Sequence, residues 1–329
     1  MGESPPIICA MALPLSPHRP LIVRLRNWVG DVTLSVPTLQ RLADAGFDLQ
    51  LIGKGWARDL LAGHGWPVHV LAPSLEQRVR QLRELRQRAR RVDAGFDARI
   101  NAIAFPYSFG SALEMRLAGL RAIGHAHEAR SWLLAKALPR RKGMHELEVY
   151  WQVGDALLGK QEPPPTRIGL RLSAEHHADA QALLDANAIA PGFIVICPFA
   201  GGTWEGLDKT WPAFADFLTH DLSQLKRQVL VCPGPGEEAI AREHFASATL
   251  LADVRLGTYA ALLSKSALMI SNDTGPGHMA AAVGTPLLSV LGPSDPALWR
   301  AWGPSVHIVG GQPSWPSRAQ VASAVAALL

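Results

Sequence analysis

The chain has little cysteine: three residues in 329, at Cys9, Cys197 and Cys232. They form no Cys-x-x-Cys pair and have no histidine at finger spacing, which argues against a disulfide framework and against a zinc cluster. Cys197 and Cys232 lie inside apolar runs and read as small core residues, as expected in a reducing, cytoplasmic compartment. Long apolar runs are missing too. No stretch reaches the roughly 18 uncharged apolar residues of a membrane span. Residues 1–20 hold a short apolar patch with no basic segment ahead of it and with prolines through it, so a secretory signal is not expected; residues 1–19 read as a flexible leader. Gly-x-Gly-x-x-Gly, a P-loop and Gly-x-Ser-x-Gly are all absent, which weighs against a nicotinamide oxidoreductase and other fingerprinted classes. No Asp-x-Asp pair is present to hold a metal on a diphosphate.

What is present is a core-forming composition, 48% hydrophobic and 18% charged, in a chain long enough for two ordinary domains. The charge is uneven. Residues 1–160 carry 22 Lys+Arg against 14 Asp+Glu, and the remainder 10 against 14, so the halves differ as +8 and −4. A basic first half suggests an anionic partner.

Apolar strands alternate with amphipathic helices along both halves. The first half places strands at 20–25, 48–53, 68–72 and 98–104, with helices at 32–45, 57–62 and 75–91. The second places strands at 193–199, 228–234, 249–252, 268–273, 286–292 and 306–311, with helices at 212–222, 237–245, 259–264, from 276, and over 318–329. This grammar predicts βαβ units and parallel sheets. Three consecutive prolines, Pro163 to Pro165, cannot continue a helix and mark a stiff linker at 161–172. The expected organisation is a domain over 20–160 and another over 173–329, both doubly wound. Ligands of such sheets bind at the carboxyl ends of the strands.

Five stretches carry candidate chemistry. In SNDTGPGHMAAAVGTP (271–286) a strand runs into a helix start marked by Pro276. The amides of Gly275, Gly277 and His278 there suit a phosphate, and Asp273 and Thr274 can serve a sugar or merely cap the helix. In RNWVGD (26–31), Asp31 follows the first strand, where it is either a general base or a helix cap. In GGTWEGLDKTWP (201–212), Lys209 can reach a diphosphate and Thr203 can add a donor; the alternative is a solvated surface lysine. In PGPGEEA (233–239), Glu237 or Glu238 can accept from a ribose, although a dipole-favoured position at a helix start is the plainer role. The 75–91 helix has an apolar stripe at Leu75, Val79, Leu82 and Leu85, and arginines including Arg83, Arg86 and Arg90 over the rest. It is a solvated face or a surface for an anionic membrane; no interleaved aromatics favour nucleic acid.

In combination, LIVRLRNWVGDVTLSVPTLQRL, KTWP, DTGPGHMAAAVGTP, GPSDP and the segment around His145-Glu146-Leu147-Glu148 resemble the bacterial heptosyltransferase family, glycosyltransferase family 9, from about residue 20 to the end. The resemblance implies the GT-B architecture, an α/β fold of two Rossmann-like domains facing each other across a cleft. It implies an inverting transfer of heptose from ADP-heptose to an inner-core sugar of lipopolysaccharide, without a metal or other cofactor. It assigns the general base to Asp31 and the donor diphosphate to Lys209. Asp273, Thr274, Gly275 and His278 become donor-site residues, joined by Gly277, Thr203 and Glu237. The acceptor of the family is an anionic glycolipid, so Arg83, Arg86 and Arg90 are expected to bind it, with peripheral contact at the inner face of the inner membrane. Two other readings stay open: a GT-B transferase using another nucleotide-diphosphate sugar, and a non-catalytic sugar-nucleotide or glycolipid-binding protein.

Overall fold

Apolar runs that alternate faces without polar interruption need cover on both sides, and two parallel sheets wrapped by helices supply it. The computed structural model describes residues 19–312 and 314–329. The leader therefore lies outside the described residues, except for Arg19, which opens the first strand.

The first sheet holds β1 (Arg19–Arg24), β2 (Phe47–Gly53), β3 (Val68–Val70), β4 (Ala102–Ala104), β5 (Ala122–His125) and β6 (Lys136–Leu138), all parallel, in the order β3-β2-β1-β4-β5-β6. The second holds β7 (Ile194–Cys197), β10 (Val229–Val231), β11 (Thr249–Leu250), β12 (Leu268–Ser271), β13 (Leu287–Leu291) and β14 (Val306–Gly310), in the order β11-β10-β7-β12-β13-β14. A small antiparallel hairpin, β8 (Thr203–Trp204) and β9 (Leu207–Asp208), follows β7. The helices of the first half are α1 (Val29–Asp44), α2 (Trp56–Leu60), α3 (Leu75–Val92), α4 (Phe109–Leu117) and α5 (Glu146–Leu158). Those of the second are α6 (Ala174–Ala186), α7 (Phe214–His220), α8 (Glu238–His244), α9 (Leu256–Lys265), α10 (Gly275–Val283), α11 (Pro296–Trp299) and α12 (Arg318–Leu328). No described helix is long and apolar enough to cross a membrane.

The period-2 alternation of β1 decides which helix lies on which face. Leu21 and Val23 join α1, α5 and α10 in the largest core cluster. Ile22 points to the other face, where Val79, Leu82 and Leu85 of α3 and Met115 of α4 cover it. α3 starts at a capping box formed by Ser74 and Gln77, which satisfies amides that the first turn would otherwise leave unpaired. The arginines that crowd this helix stay outward because its buried stripe, Val79, Leu82, Leu85 and Ala89, keeps helical spacing.

Some elements differ from the periodicity. The strand expected over 98–104 shrinks to Ala102–Ala104, because Phe96–Ala98 form a 3-10 turn. Asn101 ties that turn down: its side chain donates to the Phe96 carbonyl and accepts from the Arg121 amide at 2.8 Å. β5, β6, α4, α5 and α6 were not expected. β5, β6 and α4 are short, and α5 is capped by His145, a weak sequence signal; α6 does open on a serine cap, Ser173, but buries only His176, Ala180 and Leu184 and so shows little apolar stripe.

Residues 160–173 form neither helix nor strand. This segment is held to both halves rather than hanging free. Trp151 donates to the Glu162 carbonyl at 2.7 Å, Trp302 to the Pro165 carbonyl at 2.8 Å, and the Leu170 amide to the Ala282 carbonyl at 3.1 Å.

Candidate active site

The carboxyl end of β1 leads through Leu25–Trp28 into α1. The carboxyl end of β12 leads through Asn272 and Asp273 into α10, capped at Thr274. These two helix starts meet. A Cβ on Gly275 would sit 2.8 Å from Cβ of Val29, and one on Gly30 would sit 2.7 Å from Cδ2 of His278. Glycine at both positions is what lets the two backbones approach this closely. The carboxyl ends of the two sheets therefore face each other, with the positive ends of two helix dipoles converging between them.

Asp31 lies in the first turn of α1 and is buried. Sequence alone left it as a base or a cap. The cap position belongs to Trp28, which makes no side-chain capping bond. The Asp31 carboxylate instead takes the Tyr150 hydroxyl on Oδ1 at 2.6 Å, with Arg26 Nε 3.3 Å from the same oxygen. Burial and the neighbouring Asp31 carboxylate push the Tyr150 phenol well above its ordinary value, so it stays a donor.

Across the gap, Lys209 donates to the Asp273 carbonyl at 3.0 Å, and its ammonium lies 3.7 Å from that residue's Oδ2. Ser294 donates to the same Oδ2 at 2.7 Å. Asn272 is fully buried and staples three segments: its amide donates to the Pro198 carbonyl at 2.6 Å, and its oxygen accepts from the Trp211 amide at 3.1 Å. This is why the KTWP loop stays beside the start of α10. Thr274 Oγ1 lies 3.7 Å from Cys197 Sγ at the end of β7. A Cβ on Gly277 would sit 2.7 Å from Ser271 Oγ, so α10 lies hard against its own strand. His278 is buried, and its Nδ1 has no partner among the described residues. Burial holds its imidazole below the ordinary value, against the pull of the Asp273 and Asp31 carboxylates, which favours the neutral ring.

Asp31, Lys209, Asp273, Thr274, Gly275, Gly277 and His278 thus come together. Two other donor-site candidates lie around this cluster. Thr203, exposed on the β8–β9 hairpin, pairs with Asp208 next to Lys209. Glu237 accepts the Gly234 amide at 2.7 Å in the loop after β10, close enough to Cys197 for its charge to add to burial in raising that thiol. Arg83, Arg86 and Arg90 sit on the face of the first sheet opposite α1, and the expectation that they join the acceptor site is corrected here. Arg86 makes a two-pronged pair with Asp97 at 2.9 and 2.8 Å, Arg90 lies 3.1 Å from Asp97, and Arg83 donates to the Leu117 carbonyl at 3.0 Å. Asp97 precedes β4 and Leu117 ends α4, so these arginines surround the amino end of the sheet, whereas Asp31 is at the carboxyl end. An open cavity of about 290 Å³ among them lies equally far from the candidate chemistry.

Sequence reasoning missed a second polar cluster beside Asp31. The guanidinium carbons of Arg26 and Arg140 each lie 4.4 Å from the Tyr107 ring centroid, and the Tyr107 hydroxyl donates to Glu146 Oε1. Burial raises the Glu146 carboxyl above its ordinary value. Tyr150 carried no signal, since Leu147, Tyr150 and Val153 read as one apolar helix stripe.

Burial also fixes a pH response. His64, His125 and His145 are each held down at about 4 by desolvation, against a reference of 6.5. Between those values the unfolded chain takes up protons that the folded one refuses, so stability falls as pH drops through that window and levels off below it. The buried Glu114 and Glu146, whose carboxyls are raised by burial, oppose the trend. The urea midpoint is expected to be lower at pH 5 than at pH 7; an equal or higher midpoint at pH 5 would show that the glutamates outweigh these rings or that the rings titrate normally.

Two parallel sheets whose carboxyl ends face each other, with a carboxylate on one side and a lysine beside a helix start on the other, have the two-domain α/β arrangement of the GT-B fold. The family model for glycosyltransferase family 9 (heptosyltransferase) matches residues 83–326, and the chain belongs to that family. Its relatives include lipopolysaccharide heptosyltransferase 3 of Escherichia coli K12, 32% identical over 127 residues, which are 36% of each chain. Lipopolysaccharide heptosyltransferase 1 of Pseudomonas aeruginosa is 29% identical over 187 residues, 55% of this chain and 49% of that one. The matched segments thus span a third to a half of these relatives. Among solved structures, E. coli ADP-heptose lipopolysaccharide heptosyltransferase II superposes with a TM-score of 0.75 at 20% identity, over 94% of this chain and 98% of that one. E. coli heptosyltransferase WaaC with ADP gives 0.66 at 21%, with the same coverage. Both likenesses concern the fold.

Proposed function

We propose that the protein is an inverting heptosyltransferase that moves heptose from ADP-heptose to an inner-core sugar of lipopolysaccharide. One observation carries this reading: a buried carboxylate, not used as a helix cap, faces the start of α10, where Lys209 and the free amides are gathered. Asp31 takes the proton of an acceptor hydroxyl as its oxygen bonds to the anomeric carbon. The bond from that carbon to the diphosphate breaks on the opposite face, and its electron pair leaves with ADP, which inverts the centre. Lys209 turns from Asp273 to the diphosphate, and the α10 amides receive the charge that develops there. A lysine and a helix start supply positive charge in this scheme, so no metal is assigned a role.

The test is transfer from a panel of ADP-, UDP- and GDP-sugars to defined inner-core oligosaccharides. Product from ADP-heptose alone, with inverted anomeric configuration, is expected. Product from another donor would replace this reading with a GT-B transferase of that sugar, and donor binding without product would indicate a binding protein.

Within the same reading, the acceptor's anionic groups meet Arg140, which stacks on Tyr107 beside the Asp31 cluster, while the α3 arginines touch an anionic membrane surface from outside the site. Replacing Arg83, Arg86 and Arg90 together by Ser is expected to weaken binding to anionic vesicles and to leave KM for a short soluble acceptor near the wild-type value. A raised KM for the short acceptor would return these arginines to the acceptor site.

A further inference from the structure

We infer that Tyr150 and Arg26 are positioning residues for the base: together they occupy Oδ1 of Asp31 and leave Oδ2 as the oxygen that takes the acceptor proton. This inference rests on the reading of Asp31 as the base.

The geometry is one-sided. The Tyr150 hydroxyl lies 2.6 Å and Arg26 Nε 3.3 Å from Oδ1, whereas Oδ2 takes no hydrogen bond among the described residues. A carboxylate that is free to rotate would present either oxygen, in many orientations. Two contacts on one oxygen hold the plane of the group and aim the other oxygen, which is the geometric requirement for a base that works on a single hydroxyl.

Each partner is itself held. Tyr150 is fully buried on α5, with its ring 5.1 Å, edge to face, from Phe105 at the end of β4. α5 packs along α1, so the hydroxyl keeps its place against the helix that carries Asp31. Arg26 stacks on Tyr107, whose hydroxyl is in turn held by Glu146. The chain Glu146–Tyr107–Arg26–Asp31 therefore links the base to the start of α5. The charged and titratable groups around Asp31 are Arg26 from the β1–α1 loop, Tyr150 and Glu146 from α5, and His278 from α10.

Tyr150→Phe removes the hydroxyl and keeps the ring against Phe105. Turnover is expected to fall about ten- to a hundredfold, the scale of losing a hydrogen bond to a charged group. Binding of ADP, measured by calorimetry, is expected to stay at the wild-type value. The acidic limb of the turnover–pH profile is expected to move to higher pH, because the charged form of the base loses a donor; a purely structural role for the ring would not move it. Arg26→Gln is expected to move the limb in the same direction.

A double-mutant cycle separates this inference from the reading beneath it. If Asp31→Asn is severely slowed and Asp31→Asn with Tyr150→Phe is no slower, the two residues act as a unit. If Asp31→Asn is slowed while Tyr150→Phe keeps the wild-type rate and pH profile, the positioning role is refuted and the base stands. If Asp31→Asn itself keeps its rate, the base reading fails, and the inference fails with it.

Discussion

Asp31→Asn is expected to lower turnover by roughly 10²–10⁴-fold, the usual worth of a general base. The substitution is nearly isosteric. The amide oxygen can still accept from the Tyr150 hydroxyl, which lies 2.6 Å from Oδ1 in the wild type, so the start of α1 has no reason to unravel. What is lost is the lone pair that takes the acceptor proton. Affinity for ADP is expected to change little, since the diphosphate belongs to Lys209 and the α10 amides on the other side of the gap. Steady-state kinetics with saturating donor, beside ADP calorimetry, checks both parts. A variant that turns over near the wild-type rate would place the base elsewhere.

The second large effect falls on the donor. Lys209→Ala is expected to lower kcat/KM by about 10²–10³-fold, the scale seen when one preorganised donor to developing charge is removed. ADP affinity is expected to fall with it, because the same cation serves the bound diphosphate and the departing one. In the structure Lys209 rests on the Asp273 carbonyl at 3.0 Å, within a short swing of the α10 amides. Its removal leaves the Asn272 staple intact, because that staple uses the backbone of Trp211 and Pro198. Wild-type activity is expected to survive EDTA. Loss in EDTA with recovery on adding a divalent metal would contradict the assignment of the leaving-group charge to Lys209 and α10.

Some of this was legible locally. The strand–turn–helix at 271–283 declares itself because its features are near neighbours in sequence: an apolar run, Asn272-Asp273, and Pro276 in the first turn. The second sheet was readable for the same reason, since its central strands are unbroken apolar runs. β5 and β6 escaped because polar residues interrupt them: β5 ends in Gly124-His125 and β6 opens on the exposed Lys136, so neither forms an apolar run.

The sequence by itself determined the α/β class, the two sheets and the residues that line the start of α10. These follow from apolar periodicity and from the backbone demands of glycine and proline, and both act over a few residues. Only the tertiary structure decided whether Asp31 caps its own helix or faces a partner, because that partner, Tyr150, lies 119 residues away on a helix whose stripe looks purely apolar. The chain fold likewise set the role of the α3 arginines. Their basic, amphipathic pattern is local, but the crossovers that carry the chain between parallel strands place them on the far face and at the amino end of the sheet, where Asp97 and the Leu117 carbonyl engage them and the candidate chemistry is out of reach.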